Sequence, residues 1–163
     1  MGYTHYCKAT RALDRGTFAK WSGDCARIVD TFEKKTGIQL ANGFGNDRPV
    51  FREDRVWFNG SATCGHSSDF LLRHTYCGGA CDYETFGLEL KDDGNFVKTG
   101  MRPYDIAVTA CLLMLRYRFR DGVVISSDGN TKEWAAGQEL CLLACDIMPP
   151  IPDTIRGANS EAR

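Results

Sequence analysis

The sequence lacks an excess of charge of either sign. Its 20 Lys and Arg face 21 Asp and Glu, for a formal net charge of −1. Duplex nucleic-acid binders owe much of their affinity to phosphate neutralisation and carry a basic excess, so duplex DNA or RNA is not an expected partner. The sequence also lacks a long hydrophobic run. The longest, Ile106 to Leu115, falls far short of a bilayer span, and no membrane association is expected. A basic segment followed by an apolar one is missing from the start, Met1-Gly2-Tyr3-Thr4-His5-Tyr6, which argues against an export signal. Tyr6 stands where a myristoylation signal after Gly2 needs Ser or Thr. The expected location is the cytoplasm in which the chain is made.

Catalytic signatures are scarce too. Gly43-x-Gly45 is too short for a dinucleotide loop and follows no clear strand. Asp128-x-Asn130 opens like an EF-hand but lacks its later ligands. No Gly-x-Ser-x-Gly elbow occurs.

What the chain does have is the making of one folded domain. It holds 163 residues, 43% apolar and 25% charged, enough to bury a core without disulfides. Aromatic and polar residues alternate from Tyr3 to Tyr6, a strand pattern. Phe18, Trp21, Cys25, Ile28, Val29 and Phe32 share one face of a helix with Asp14 as N-cap and Gly37 as its end. Arg55 to Asn59 and Tyr83 to Leu90 read as strands, with Asn59-Gly60 as a turn and Phe96 to Lys98 pairing back as a hairpin. Pro103 suits the first position of a central, nearly all-apolar helix from Arg102 to Phe119. Val123 to Ile125 is a short apolar strand. Asn130 and Glu133 form a capping box that opens a third helix to Cys145, with Trp134, Leu140, Leu143 and Ile147 as its buried stripe. The prolines from Pro149 to Pro152 stop it. The expected fold is α+β: one mixed or antiparallel sheet of about five strands packed with three helices in two layers. A domain of residues 1–148 and a polar, mobile tail of residues 149–163 follow from this reading.

Several blocks occur in this order: Gly2-Tyr3-Thr4-His5-Tyr6, Phe58-Asn59-Gly60, Glu84-Thr85-Phe86, Lys98-Thr99, Arg102-Pro103-Tyr104-Asp105 and Ser126-Ser127-Asp128-Gly129. Together they resemble a family of small proteins of tailed bacteriophages and prophages that open Met-Gly-Tyr-Thr-His-Tyr-Trp. The resemblance implies a phage-encoded protein at work in a host bacterial cytoplasm. It implies no activity. This chain departs from the pattern at Cys7, where the family carries Trp, and in a longer loop from Cys64 to Cys81.

Two sets of residues are candidates for chemistry. The first gathers polar side chains at strand ends and at the entry of the central helix: His5, Glu84, Lys98, Arg102, Asp105, Ser126, Ser127 and Asp128. Free N–H groups at a helix start attract anions, and Lys98 and Arg102 would add charge-assisted hydrogen bonds. His5 and Glu84 could serve as acid and base. The competing reading makes His5 a satisfied core histidine and the rest turn and helix-end residues. The second set is Cys64, His66, His74, Cys77 and Cys81. Without an export signal, thiols are expected, and thiolate with imidazole suits a structural zinc. The spacing is not that of a standard finger, and a reduced loop without metal is the alternative. Cys25, Cys111, Cys141 and Cys145 fall in helical patterns as small core residues. Arg116, Arg118 and Arg120 cluster where cations suit a helix C-terminus.

Two functions follow. In one, the protein binds a host bacterial protein as an inhibitor or counter-defence factor. In the other, it binds or turns over a small anionic ligand, such as a nucleotide, at the His5/Glu84/Lys98/Arg102 cluster. A deep polar pocket there favours the second, and a flat exposed apolar patch the first.

Overall fold

Tyr3 to Tyr6 alternate because they enter a sheet whose two faces differ. The computed structural model describes residues 3–43, 47–61, 70–73, 75, 81–155 and 157. In it, β1 (Thr4–Ala9) lies between β6 (Gly94–Lys98) and β7 (Val123–Ser127), antiparallel to both. β2 (Leu40–Ala41), β3 (Val50–Phe51) and β5 (Phe86–Glu89) all pair antiparallel with β4 (Arg55–Gly60). The helices are α1 (Arg15–Thr36), α2 (Asp105–Phe119) and α3 (Thr131–Cys145). The α+β class is as the sequence pattern indicates, with two antiparallel sheets in place of one.

The seam between the sheets runs along β5 and β6. There the Asn95 carboxamide donates to the Gly87 carbonyl, so a side chain replaces a backbone rung. Glu84 N–H donates to Lys98 O at 3.2 Å. The two strands stay side by side without a continuous ladder.

α1 follows its sequence signals closely. The Asp14 carboxylate accepts from Thr17 N–H at 2.8 Å, and Gly37 closes the helix at φ 75°. All six residues of its apolar stripe are buried. The Asn130–Glu133 capping box of α3 is present on both arms. α2 is buried over most of its circumference and packs against α1, α3 and β7. One continuous core joins all three helices to both sheets.

Four details depart from the sequence reading. Asn59-Gly60 is no turn: both residues continue β4, opposite Ala41 and Leu40. The Asn59 side chain holds Tyr83 by its N–H and its carbonyl, and Gly60 lets the Cys81 backbone pass where a Cβ would clash. α2 begins at Asp105 and not near Pro103: the residues before it make turns, with Asp105 N–H donating to Arg102 O at 2.9 Å and Ile106 N–H to Pro103 O at 3.4 Å. Leu143 is 52% exposed. α3 turns Gly137 and Cys141 inward, and Leu143 falls about 200° round the helix from Cys141. The tail, finally, does not leave the domain at residue 149. Gln138 donates to Pro149 O at 2.9 Å, Thr154 donates to Ile125 O, and Ile155 is buried.

Candidate functional site

The pleat of β1 decides the fate of the first candidate set. His5 and Cys7 point into the core, whereas Tyr6 and Lys8 point out. On β6, Val97 is buried, and Phe96 and Lys98 are exposed. His5 is paired with Val97 and not with Lys98. His5 and Lys98 therefore lie on opposite faces of the sheet, and one ligand cannot touch both.

Inside the sheet, His5 belongs to a closed polar clasp. Its Nε2 is 2.6 Å from Asp105 Oδ1 and its Nδ1 is 2.7 Å from Ser127 Oγ. Ser127 Oγ also receives Gly129 N–H at 2.8 Å and Trp134 Nε1–H at 3.2 Å. Those two donors occupy its lone pairs, so its own proton goes to His5 Nδ1. Nε2–H is then free to donate to Asp105, whose Oδ1 also accepts the Thr99 hydroxyl. Tyr3 and Trp134 meet the imidazole edge-on, with centroids 5.0 and 5.1 Å away.

The residues match a serine–histidine–carboxylate relay in type, but the setting differs. His5 is 0% exposed. The void that borders it, beside Cys7, Phe86 and Val97, holds about 10 Å³, room for a single water. A hydroxyl with both lone pairs engaged has none to offer an electrophile. The clasp ties β1, β7, α2 and α3 together. Burial and the charges of Asp105 and Glu133 raise the Tyr3 phenol well above its ordinary range, so it stays a neutral donor to Glu133.

The other members of the set lie outside the clasp. Glu84 Oε2 accepts the Lys98 backbone N–H at 2.9 Å. Asp128 Oδ2 accepts Thr4 N–H at 3.0 Å and so extends the β1–β7 pairing. Ser126 is exposed on β7. Arg102 sits in the turn ahead of α2, and its N–H donates to Thr99 O at 3.0 Å. Tyr104, which the sequence pattern gives no role, is buried and donates to Glu84 O at 2.6 Å, pinning the turn to the strand ends.

Of the proposed zinc ligands, Cys64, His66, His74 and Cys77 lie outside the described residues. Cys81 is buried and disulfide-bonded, against the expected thiol. A sulfur bound in a disulfide is not a thiolate, which removes Cys81 from a zinc site. Among the described residues, no three His, Cys, Asp or Glu side chains gather as a metal site.

The basic run divides. Arg118 binds Asp24 at 2.7 and 3.0 Å, and Arg27 meets the same carboxylate. Asp24 is wholly buried between them, an interhelical ion pair that periodicity does not reveal. Arg116 and Arg120 point elsewhere.

The outer face of the β6-β1-β7 sheet is the feature the sequence reading passes over. Tyr6 is 44%, Phe96 56% and Val124 44% exposed. Tyr6 and Phe96 are direct cross-strand partners with ring centroids 6.5 Å apart. Lys8 and Lys98 extend from the same face. Their alternation with His5, Cys7 and Val97 was legible, but which residues stay uncovered depends on the packing. A second exposed group, Leu142 and Leu143 near the end of α3 and Met148 beyond it, has no such ring pair.

No helix among the described residues is long and apolar enough to cross a membrane. Compared with family models, curated proteins and solved structures, the chain matches none.

Proposed function

We propose that the chain is a phage-encoded accessory protein that binds a host bacterial protein in the host cytoplasm and alters it, as an inhibitor or counter-defence factor. The observation that carries this reading is the open sheet face, where Tyr6, Phe96 and Val124 stand exposed between Lys8 and Lys98. Rigid aromatic side chains give large contact area at low entropic cost and dominate interface energies. The two lysines favour a partner whose apolar patch is rimmed by carboxylates. The phage origin rests on the sequence resemblance. The His5 clasp, buried and bordered by a void of only about 10 Å³, favours binding over turnover at that cluster.

The test is photo-crosslinking in bacterial lysate from a benzophenone amino acid placed at Val124, with Lys132 on α3 as the control position. A single protein should crosslink from position 124 alone, at one copy per chain. Tyr6→Ala with Phe96→Ala should abolish that crosslink, and Lys8→Glu with Lys98→Glu should weaken it. Equal crosslinking from both positions, or an oligonucleotide as the trapped species, would overturn the reading.

A further inference from the structure

A groove lies at the C-terminal end of α2, apart from the His5 clasp. It has a volume of about 460 Å³ and is lined by Leu113, Arg116, Tyr117, Arg120, Asp121 and the prolines Pro149, Pro150 and Pro152. Pockets of this size hold compact organic ligands. The tail that packs back after α3 supplies the proline wall, and the end of α2 with the turn after it supplies the cations.

The charges in this groove are uneven. Arg116 stands on the last turn of α2, and Arg120 follows the helix end at φ 56°; both line the groove. Arg118, between them, has the buried Asp24 carboxylate as its partner. Among the described residues, no hydrogen bond or ion pair engages the guanidinium of Arg116 or Arg120. Among the described residues, Asp121 is the one carboxylate lining the groove; Arg11 binds it at 3.0 Å, and the charges of Arg11 and, more weakly, Arg116 keep its carboxyl below the usual range. The helix C-terminus offers the two cations some compensation, but it does not account for the cavity facing them.

Arg120 is also held in position. Its guanidinium carbon lies 5.3 Å from the Tyr117 ring centroid. A guanidinium resting on an aromatic face keeps its N–H donors free for an oxyanion, and the planar fork matches phosphate oxygens in pairs. Leu113 and the three prolines offer an apolar surface for the rest of the ligand.

We infer that this groove binds a phosphate carried on a flat ring system, with Arg116 and Arg120 on the phosphate and the proline wall against the ring. A nucleoside monophosphate and a phosphorylated tyrosine both present that chemistry. The site is distinct from the His5/Glu84/Lys98/Arg102 cluster and does not depend on the proposed docking face.

Calorimetric titration of the whole chain tests it with four probes: adenosine monophosphate, phenyl phosphate, adenosine and inorganic phosphate. At least one of the first two should bind about tenfold or more tightly than inorganic phosphate and than adenosine. Adenosine monophosphate as the tighter of the pair marks a nucleotide site, and phenyl phosphate marks a phosphotyrosine site. Arg116→Gln and Arg120→Gln should each weaken that binding about tenfold or more, as loss of a charge-assisted contact does. Arg120→Lys, which keeps the charge and loses the fork, should weaken it too. Lys132→Gln should not. Melting curves identify any variant that fails to fold, and Arg120 is exposed, so its two variants decide the matter if Arg116→Gln does not fold. Binding of neither ring phosphate at millimolar concentration would overturn the inference. So would binding that survives both Arg120 variants unchanged.

Discussion

The two faces of the β6-β1-β7 sheet are built from the same strands, yet they do different work. The inner face holds His5, Cys7, Val97, Val123 and Ile125, all buried, and its polar groups are saturated by Asp105, Ser127 and Thr99. The outer face shows Tyr6, Lys8, Phe96, Lys98 and Val124 to solvent. Neighbouring residues on one strand thus stand in separate settings: His5 within the core, and Tyr6 on the exposed face proposed for docking. A histidine beside a serine and a carboxylate is by itself no sign of turnover. The space around it decides, and here the space is filled.

Substitutions can break the comparison, and the largest effects belong inside. Leu112→Ala, in the middle of α2, should cost about 2–5 kcal/mol by chemical denaturation, because the buried helix has neighbours on every side and closes poorly over a cavity. Gly137→Ala should cost about 1–3 kcal/mol. A Cβ there would stand 2.3 Å from Thr109 Oγ1 and 3.0 Å from Ala110 N, where α3 crosses α2. Ser127→Ala should cost about 1–3 kcal/mol, since it strips partners from His5 Nδ1, Gly129 N–H and Trp134 Nε1 at once. Phe96→Ala on the outer face should change stability by less than about 0.5 kcal/mol.

The inner thiols also make the stability depend on pH. Burial raises the Cys7 thiol from its ordinary 9.0 to about 11, and Cys25 and Cys141 shift in the same direction for the same reason. The folded state therefore holds its thiol protons more tightly than the unfolded chain does. For Cys7, this contribution is fully present below pH 9 and is lost as the pH rises towards 11. Stability measured across that window should fall, and Cys7→Ala should reduce the slope. Alkylation of Cys7 at pH 8 should be slow until denaturant is added.

The sequence made the inner half of this comparison largely readable. The α1 stripe and its caps, the capping box of α3, the apolar girth of α2 and the alternation in β1 are local patterns with local causes. Failures came where distant segments meet. Asn59-Gly60 has the composition of a hairpin turn, but its glycine answers to the Cys81 backbone and its asparagine to Tyr83. Asp24 sits on the buried side of α1 where Arg118 arrives from α2 and Arg27 reaches the same carboxylate. The site candidates show the same limit. Strand ends and the entry of α2 do bring His5, Asp105 and Ser127 into contact, as a buried clasp. Assigning Lys98 to the same group overlooked that a strand pairing opposite Thr4 places it on the other side of the sheet.

The most direct test of the division between the two faces is a crossed measurement on two variants, reading melting temperature and the crosslink from position 124 together. Ser127→Ala should lower the melting temperature and leave the crosslink per folded molecule intact. Tyr6→Ala with Phe96→Ala should leave the melting temperature within a degree or two of the parent and abolish the crosslink. Loss of the crosslink in a stably folded Ser127→Ala protein, with the double variant still crosslinking, would contradict the account.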